Sequence, residues 1–119
     1  MLPEVLKLRQ KWQDGVNSHD LSCVLGGYDT NAVFKGTMNA QFADSTDSVS
    51  AYFKKIFADD VSVVFIGTPT IRQFDNLYID YGVYEFHMKG KTVRANYTFV
   101  YIHRDACIRI ISHLSYMIH

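Results

Sequence analysis

Cysteine, proline and tryptophan are scarce in this sequence, at two, two and one residues, and neither sign of charge is in excess. Each scarcity removes a class of protein. Cys23 and Cys107 are too few and too irregularly spaced for a disulfide framework or a zinc site, and read as two buried thiols. Twelve basic residues balance twelve acidic ones, so no global field exists to draw in nucleic acid or an anionic membrane. The same neutrality lowers colloidal repulsion, which fits a protein that self-associates. No apolar run reaches the roughly 20 residues of a membrane-spanning helix, the longest being Val61 to Gly67. The opening Met-Leu-Pro-Glu-Val-Leu-Lys has no basic region followed by an apolar stretch and a cleavage site, so the cytoplasm is the expected compartment. There is no repeat, linker or low-complexity tract, and residues 1–119 are expected to form one domain.

What is abundant is aromatic surface, with eight Tyr and eight Phe, as a packed core requires. From Pro3 to Ser18, Val5, Leu8, Trp12 and Val16 recur at three- and four-residue spacing and predict an amphipathic helix. Pro3 falls in its first turn, where a missing N–H costs nothing. Asp20 caps a second short helix, Leu21 to Leu25, which Gly26-Gly27 ends. Ala32 to Lys35 reads as a short strand and Gly36 to Asp44 as a polar loop. Ser45 then caps a third helix with a stripe of Val49, Tyr52, Phe53, Ile56 and Phe57. Val61 to Ile66 is a β-branched strand, and Pro69 separates it from Thr70 to Phe74. After Asp75-Asn76 come three long strands, Tyr78 to Met88, Thr92 to His103 and Cys107 to Met117. Helices first and strands after them predict an α+β fold in which the helices cover one face of a curved antiparallel sheet.

Alternation along the strands assigns their faces. A two-residue turn at Lys89-Gly90 sets Glu85 opposite Arg94 on a wet face. The opposite face then holds Tyr78, Asp80, Gly82, Tyr84 and Phe86 against Val93, Ala95, Tyr97, Phe99 and Tyr101, and this is the face expected to be buried. The last hairpin leaves two alternatives. A three-residue loop, Arg104 to Ala106, brings His113 and Ser115 to the buried face, whereas a two-residue loop brings Ile110, Ser112 and Leu114 there. Gly82 marks a bend, a bulge or a close approach.

Two residues carry candidate chemistry. A buried, unpartnered Asp80 has a raised pKa, as a general acid or base near neutrality needs, and His113 titrates there without help. Set about two strands apart, they would flank a substrate. The competing reading is a structural His113 with Asp80 at a solvated rim. Trp12, Tyr28, Phe53, Tyr97, Phe99 and Ser115 are the candidate lining of a mostly apolar pocket, or else plain core. Gly90-Lys91-Thr92 lacks the earlier glycine of a phosphate-binding loop, and Asn96-Tyr97-Thr98 lies mid-strand, where glycosylation is irrelevant. His87, His103 and His119 are dispersed, so neither metal nor cofactor is expected.

Across nearly its whole length the chain resembles the nuclear transport factor 2-like superfamily. The resemblance is carried by Trp12, His19-Asp20-Leu21, Tyr28, Ala32-Val33-Phe34 and Gly36-Thr37 in the first half. In the second half it is carried by Gly82-Val83-Tyr84-Glu85-Phe86, Arg94 to Tyr101 and His113-Leu114-Ser115. Within that superfamily the chain looks most like the SnoaL-like branch and the association domain of calcium/calmodulin-dependent protein kinase II. The resemblance implies a cone-shaped, cystatin-like fold with a pocket between helices and concave sheet, dimerised through the sheet. It also shows departures. Asp105-Ala106-Cys107 replaces a common Asp-Gly pattern, and Phe99 and Ser115 stand where the kinase association domain has arginines. The catalytic tyrosine and general-base aspartate of ketosteroid isomerase would fall at Trp12 and about Gly36, so neither group is present. Three readings follow: a binding protein for a small apolar or aromatic molecule, an acid/base enzyme of the cyclase, dehydratase or isomerase kind, and a homo-oligomeric assembly module.

Overall fold

The computed structural model describes residues 2–119. Helix α1 (Leu2–Asn17) and the short α2 (Leu21–Leu25) come first, followed by strand β1 (Tyr28–Lys35) and helix α3 (Thr46–Ala58). Strands β2 (Ser62–Phe74), β3 (Leu77–Met88), β4 (Lys91–Arg104) and β5 (Cys107–Met117) complete the chain. The caps are those the sequence called for. The Asp20 carboxylate accepts the Cys23 N–H, and Ser45 and Ser48 satisfy each other in a capping box. Among the described residues no helix is long and apolar enough to cross a membrane.

The five strands lie in the order β1-β5-β4-β3-β2, and the helices cover the inner face. Three of the four junctions are antiparallel, and β1 joins β5 in parallel. β1 is also longer than Ala32 to Lys35. Its polar Asp29-Thr30-Asn31 segment disguises it, because Asp29 accepts the Asn31 N–H and breaks the pairing between Tyr28 and Val33. β2 is a single strand interrupted in register rather than two strands. Gly67, Thr68 and Pro69 stand between the pairs Ile66–Val83 and Thr70–Tyr81, so the proline sits where no ladder bond is required. Gly82 is the residue opposite that interruption.

The last hairpin combines the two alternatives. Arg104 pairs with Cys107, so the loop is Asp105-Ala106, with positive φ of 56° and 61° at the two positions. Farther along, Tyr101 pairs with Ile110 but Val100 pairs with Ser112, which leaves Ile111 as an extra residue. This bulge reverses the alternation, so that Ile110, His113 and Ser115 all face inward and are buried. The expected face of β3 and β4 is inward too, from Tyr78 and Asp80 to Phe99 and Tyr101.

The free edge of β2 is closed by α1. Asn17 donates to the Val63 carbonyl at 3.1 Å and accepts the Val63 N–H at 2.7 Å, as a neighbouring strand would. One turn earlier, Gln13 accepts the Phe65 N–H. An edge strand so occupied cannot pair with another chain along that stretch. The cysteines depart from the expected burial: Cys23 is half-buried and Cys107 is exposed beside the last turn.

Candidate functional site

The inner face of the sheet holds two polar clusters set into an aromatic interior. The first centres on His113. Trp12 Nε1 donates to the Tyr28 hydroxyl at 3.0 Å, and that hydroxyl lies 2.7 Å from His113 Nδ1. On the other side, Tyr84 Oη lies 3.0 Å from His113 Nε2. Indole N–H groups only donate, so the Tyr28 proton has His113 Nδ1 as its acceptor. His113 is therefore the Nε2–H tautomer, and it donates to Tyr84. Burial drives its pKa down to about 3, so the imidazole is neutral. Both of its nitrogens are engaged.

The second cluster centres on Asp80, which is fully buried. Its Oδ1 accepts from Tyr97 Oη at 2.8 Å, and its Oδ2 accepts from Tyr101 Oη at 2.9 Å and Arg9 Nε at 3.0 Å. Arg9 Nη2 also donates to Tyr97 Oη at 2.9 Å, and its guanidinium carbon lies 3.7 Å from the centre of the Phe65 ring. Burial pulls the Arg9 pKa down, but the bond to Tyr97 and the charge of Asp80 outweigh it and hold the group above its ordinary value. Burial likewise pushes the Tyr101 and Tyr97 phenols up. The cluster is an ion pair clasped by two neutral phenols. Such a pair is costly to break, whatever it contributes when intact.

Asp80 and His113 do share a face two strands apart, since Phe99 pairs with Asp80 on one side and with His113 on the other. Asp80 is not at a rim, and neither group lacks partners. Among the described residues every buried side-chain nitrogen and oxygen has a hydrogen-bond partner. Trp12 stacks on Tyr84 at 5.8 Å between ring centres, Tyr84 on Tyr97 at 4.8 Å, and Phe99 on His113 at 3.9 Å. Phe53 packs against Phe34 and Tyr28, and Ser115 bonds Thr37 at 2.7 Å. The expected pocket lining, Trp12, Tyr28, Phe53, Tyr97, Phe99 and Ser115, is thus packed upon itself. Large rings facing one another across a narrow cone fill it.

A crevice of about 20 Å³ lies beside Tyr28. Larger clefts lie between α3 and the loop after β1, between that loop and the end of β5, and between α1 and the β2 interruption. No group of three His, Cys, Asp or Glu side chains among the described residues is arranged to hold a metal ion. The Gly36 position is closed to a side chain altogether. A Cβ there would meet the Tyr52 ring at 2.2 Å.

Arg9, Tyr101 and Tyr84 complete these clusters, and the sequence reading assigned none of them a role. Arg9 carries a usable signal. It lies four residues after Val5 and three before Trp12, a lone cation on the apolar stripe of α1, as Asp80 is a lone carboxylate on the apolar face of β3.

Comparison with protein-family models and with curated proteins finds no match. Comparison with solved structures finds many. One, from Xanthomonas campestris and described as a calcium/calmodulin dependent protein kinase II association domain, superposes with a TM-score of 0.85 at 29% identity. The match covers 97% of this chain and 86% of that one. This chain has the nuclear transport factor 2-like fold. An NTF-2 like protein of unknown function from Shewanella oneidensis gives a TM-score of 0.81 at 18% identity, over 97% of this chain and 98% of its own. A ketosteroid isomerase-like protein from Erwinia carotovora atroseptica gives 0.79 at 12%, over 99% and 96%. At such identities the last two show the fold alone. The nuclear transport factor 2-like cone of this chain is distinguished by what fills it, the stacked rings around His113 and the Arg9–Asp80 pair.

Proposed function

We propose that this domain is a self-associating module that pairs with a second copy through the outer face of its sheet, and that its cone is a structural core. The observation that carries this reading is the contrast between the two faces. The inner face is lined with stacked rings, and among the described residues its buried side-chain polar atoms all have partners. The outer face presents Ile66, Ile79, Tyr81, Val83, Val100 and Leu114, placed side by side by the strand registers. Ile66 and Tyr81 are each 39% exposed. Apolar residues on four neighbouring strands, interleaved with Asn96, Thr98 and Ser112, form the mixed kind of surface that marks a contact site. The similarity to a protein described as an association domain points the same way.

Binding of a small apolar molecule inside the cone, and acid/base turnover by Asp80 and His113, both need room beside those residues. The stacked rings weigh against each. Light scattering coupled to gel filtration tests the reading. Wild type at tens of micromolar should run at twice the 13.7 kDa chain mass, and Tyr81→Arg with Val100→Glu should run at the chain mass. A wild type that is monomeric at that concentration overturns the proposal.

A further inference from the structure

The cleft between α3 and the loop after β1 has a volume of about 210 Å³ and is lined by Met38, Asn39, Ser48, Ala51, Tyr52, Lys55 and Ile56. It is formed by neither the cone interior nor the outer sheet face. Three observations give it a chemical sign. First, the Tyr52 hydroxyl, in a side chain only 8% exposed, accepts the Met38 N–H at 3.3 Å. Burial raises its pKa to about 12, against the opposing effect of the Met38 and Thr37 N–H groups, so the phenol keeps its proton. Among the described residues that proton has no acceptor, and backbone donors occupy the oxygen. Second, Asn39 Oδ1 accepts the Gln41 N–H, which leaves its Nδ2 hydrogens free to donate. Third, Lys55 lies three residues after Tyr52 on α3, and among the described residues its ammonium forms no ion pair. Ser48 is already engaged with Ser45 in the capping box.

We propose that this cleft is a binding site for a small organic monoanion. Its charged group accepts hydrogen bonds from Tyr52, Asn39 and Lys55, and its apolar body lies against Met38, Ala51 and Ile56. Each side-chain oxygen of the lining already accepts a backbone N–H, so its side chains offer donors and the complementary group is acceptor-only. One cation matches one negative charge. The volume lies below the roughly 300 to 1,000 Å³ usual for ligand pockets, which restricts the body to about one ring or a short chain.

Benzoate is a suitable probe, with benzyl alcohol as the neutral control of the same shape. In amide NMR titrations of the full chain, benzoate should shift Met38, Asn39 and Lys55 saturably and benzyl alcohol should not. Lys55→Gln, on the surface, and Tyr52→Phe, which keeps the ring packed on Gly36, should each weaken benzoate about tenfold, as loss of a charge-assisted bond does. No saturable shift with benzoate, equal shifts with benzyl alcohol, or unchanged affinity in both variants would overturn the site. None of these results depends on the state of association of the sheet face.

Discussion

The imidazole of His113 lies on the ring of Phe99, with centres 3.9 Å apart and planes 20° from parallel. The contact exists because Ile111 is an extra residue in β5. With the two-residue turn at Asp105-Ala106 and no bulge, alternation from Ile110 would have turned Ser112 and Leu114 inward and His113 out. One inserted residue therefore decides whether the cone contains a histidine.

His113 makes stability depend on acid. Its folded pKa is about 3, against about 6.5 when unfolded. Between those values the unfolded chain binds a proton that the folded chain refuses. This residue therefore imposes no penalty above pH 6.5, and stability declines as pH falls toward 3, by roughly 1.4 kcal/mol per unit. Between pH 7 and pH 5, urea denaturation should register a loss of roughly 2 kcal/mol from this source. Imidazole nitrogen shifts provide the direct check. They should report the neutral Nε2–H tautomer at both pH values, and an imidazolium at pH 5 would refute the assignment.

Arg9 and Asp80 should behave as one unit. Asp80→Asn leaves the guanidinium, only 11% exposed, without its counter-charge and should cost about 3 kcal/mol. Arg9→Met should cost a similar amount by stranding the carboxylate. The double variant should recover part of the sum, because no uncompensated charge remains. A double-mutant cycle in urea measures this coupling, and simple additivity would show that the pair is not coupled.

Asn17→Ala should lower stability by about 1 to 2 kcal/mol, since it removes both bonds to Val63 and leaves that N–H and carbonyl unpaired. Amide exchange should accelerate at Val63 and Phe65 before it does in β4. Because the edge of β2 is then open, the variant should also aggregate at concentrations where wild type does not. Unchanged exchange at Val63 would mean that the side chain does not protect the edge.

The sequence by itself determined the order of elements, the caps at Asp20 and Ser45, the Glu85–Arg94 register and the buried face of β3 and β4. All of these rest on local chemistry or on alternation across a short turn, which a few neighbouring residues specify. Other features depended on residues far apart in the chain. The parallel pairing of β1 with β5, the bulge at Ile111 and the Asn17 cap on Val63 are chosen by which arrangement packs. So is the filling of the cone. Aromatic residues of the right kind at the right positions are as compatible with a lined pocket as with a solid core. Only ring-to-ring distances separate the two. The pairing of Arg9 with Asp80 joins residues 71 apart, and it was settled when α1 laid a half-buried cation over a carboxylate buried in the sheet.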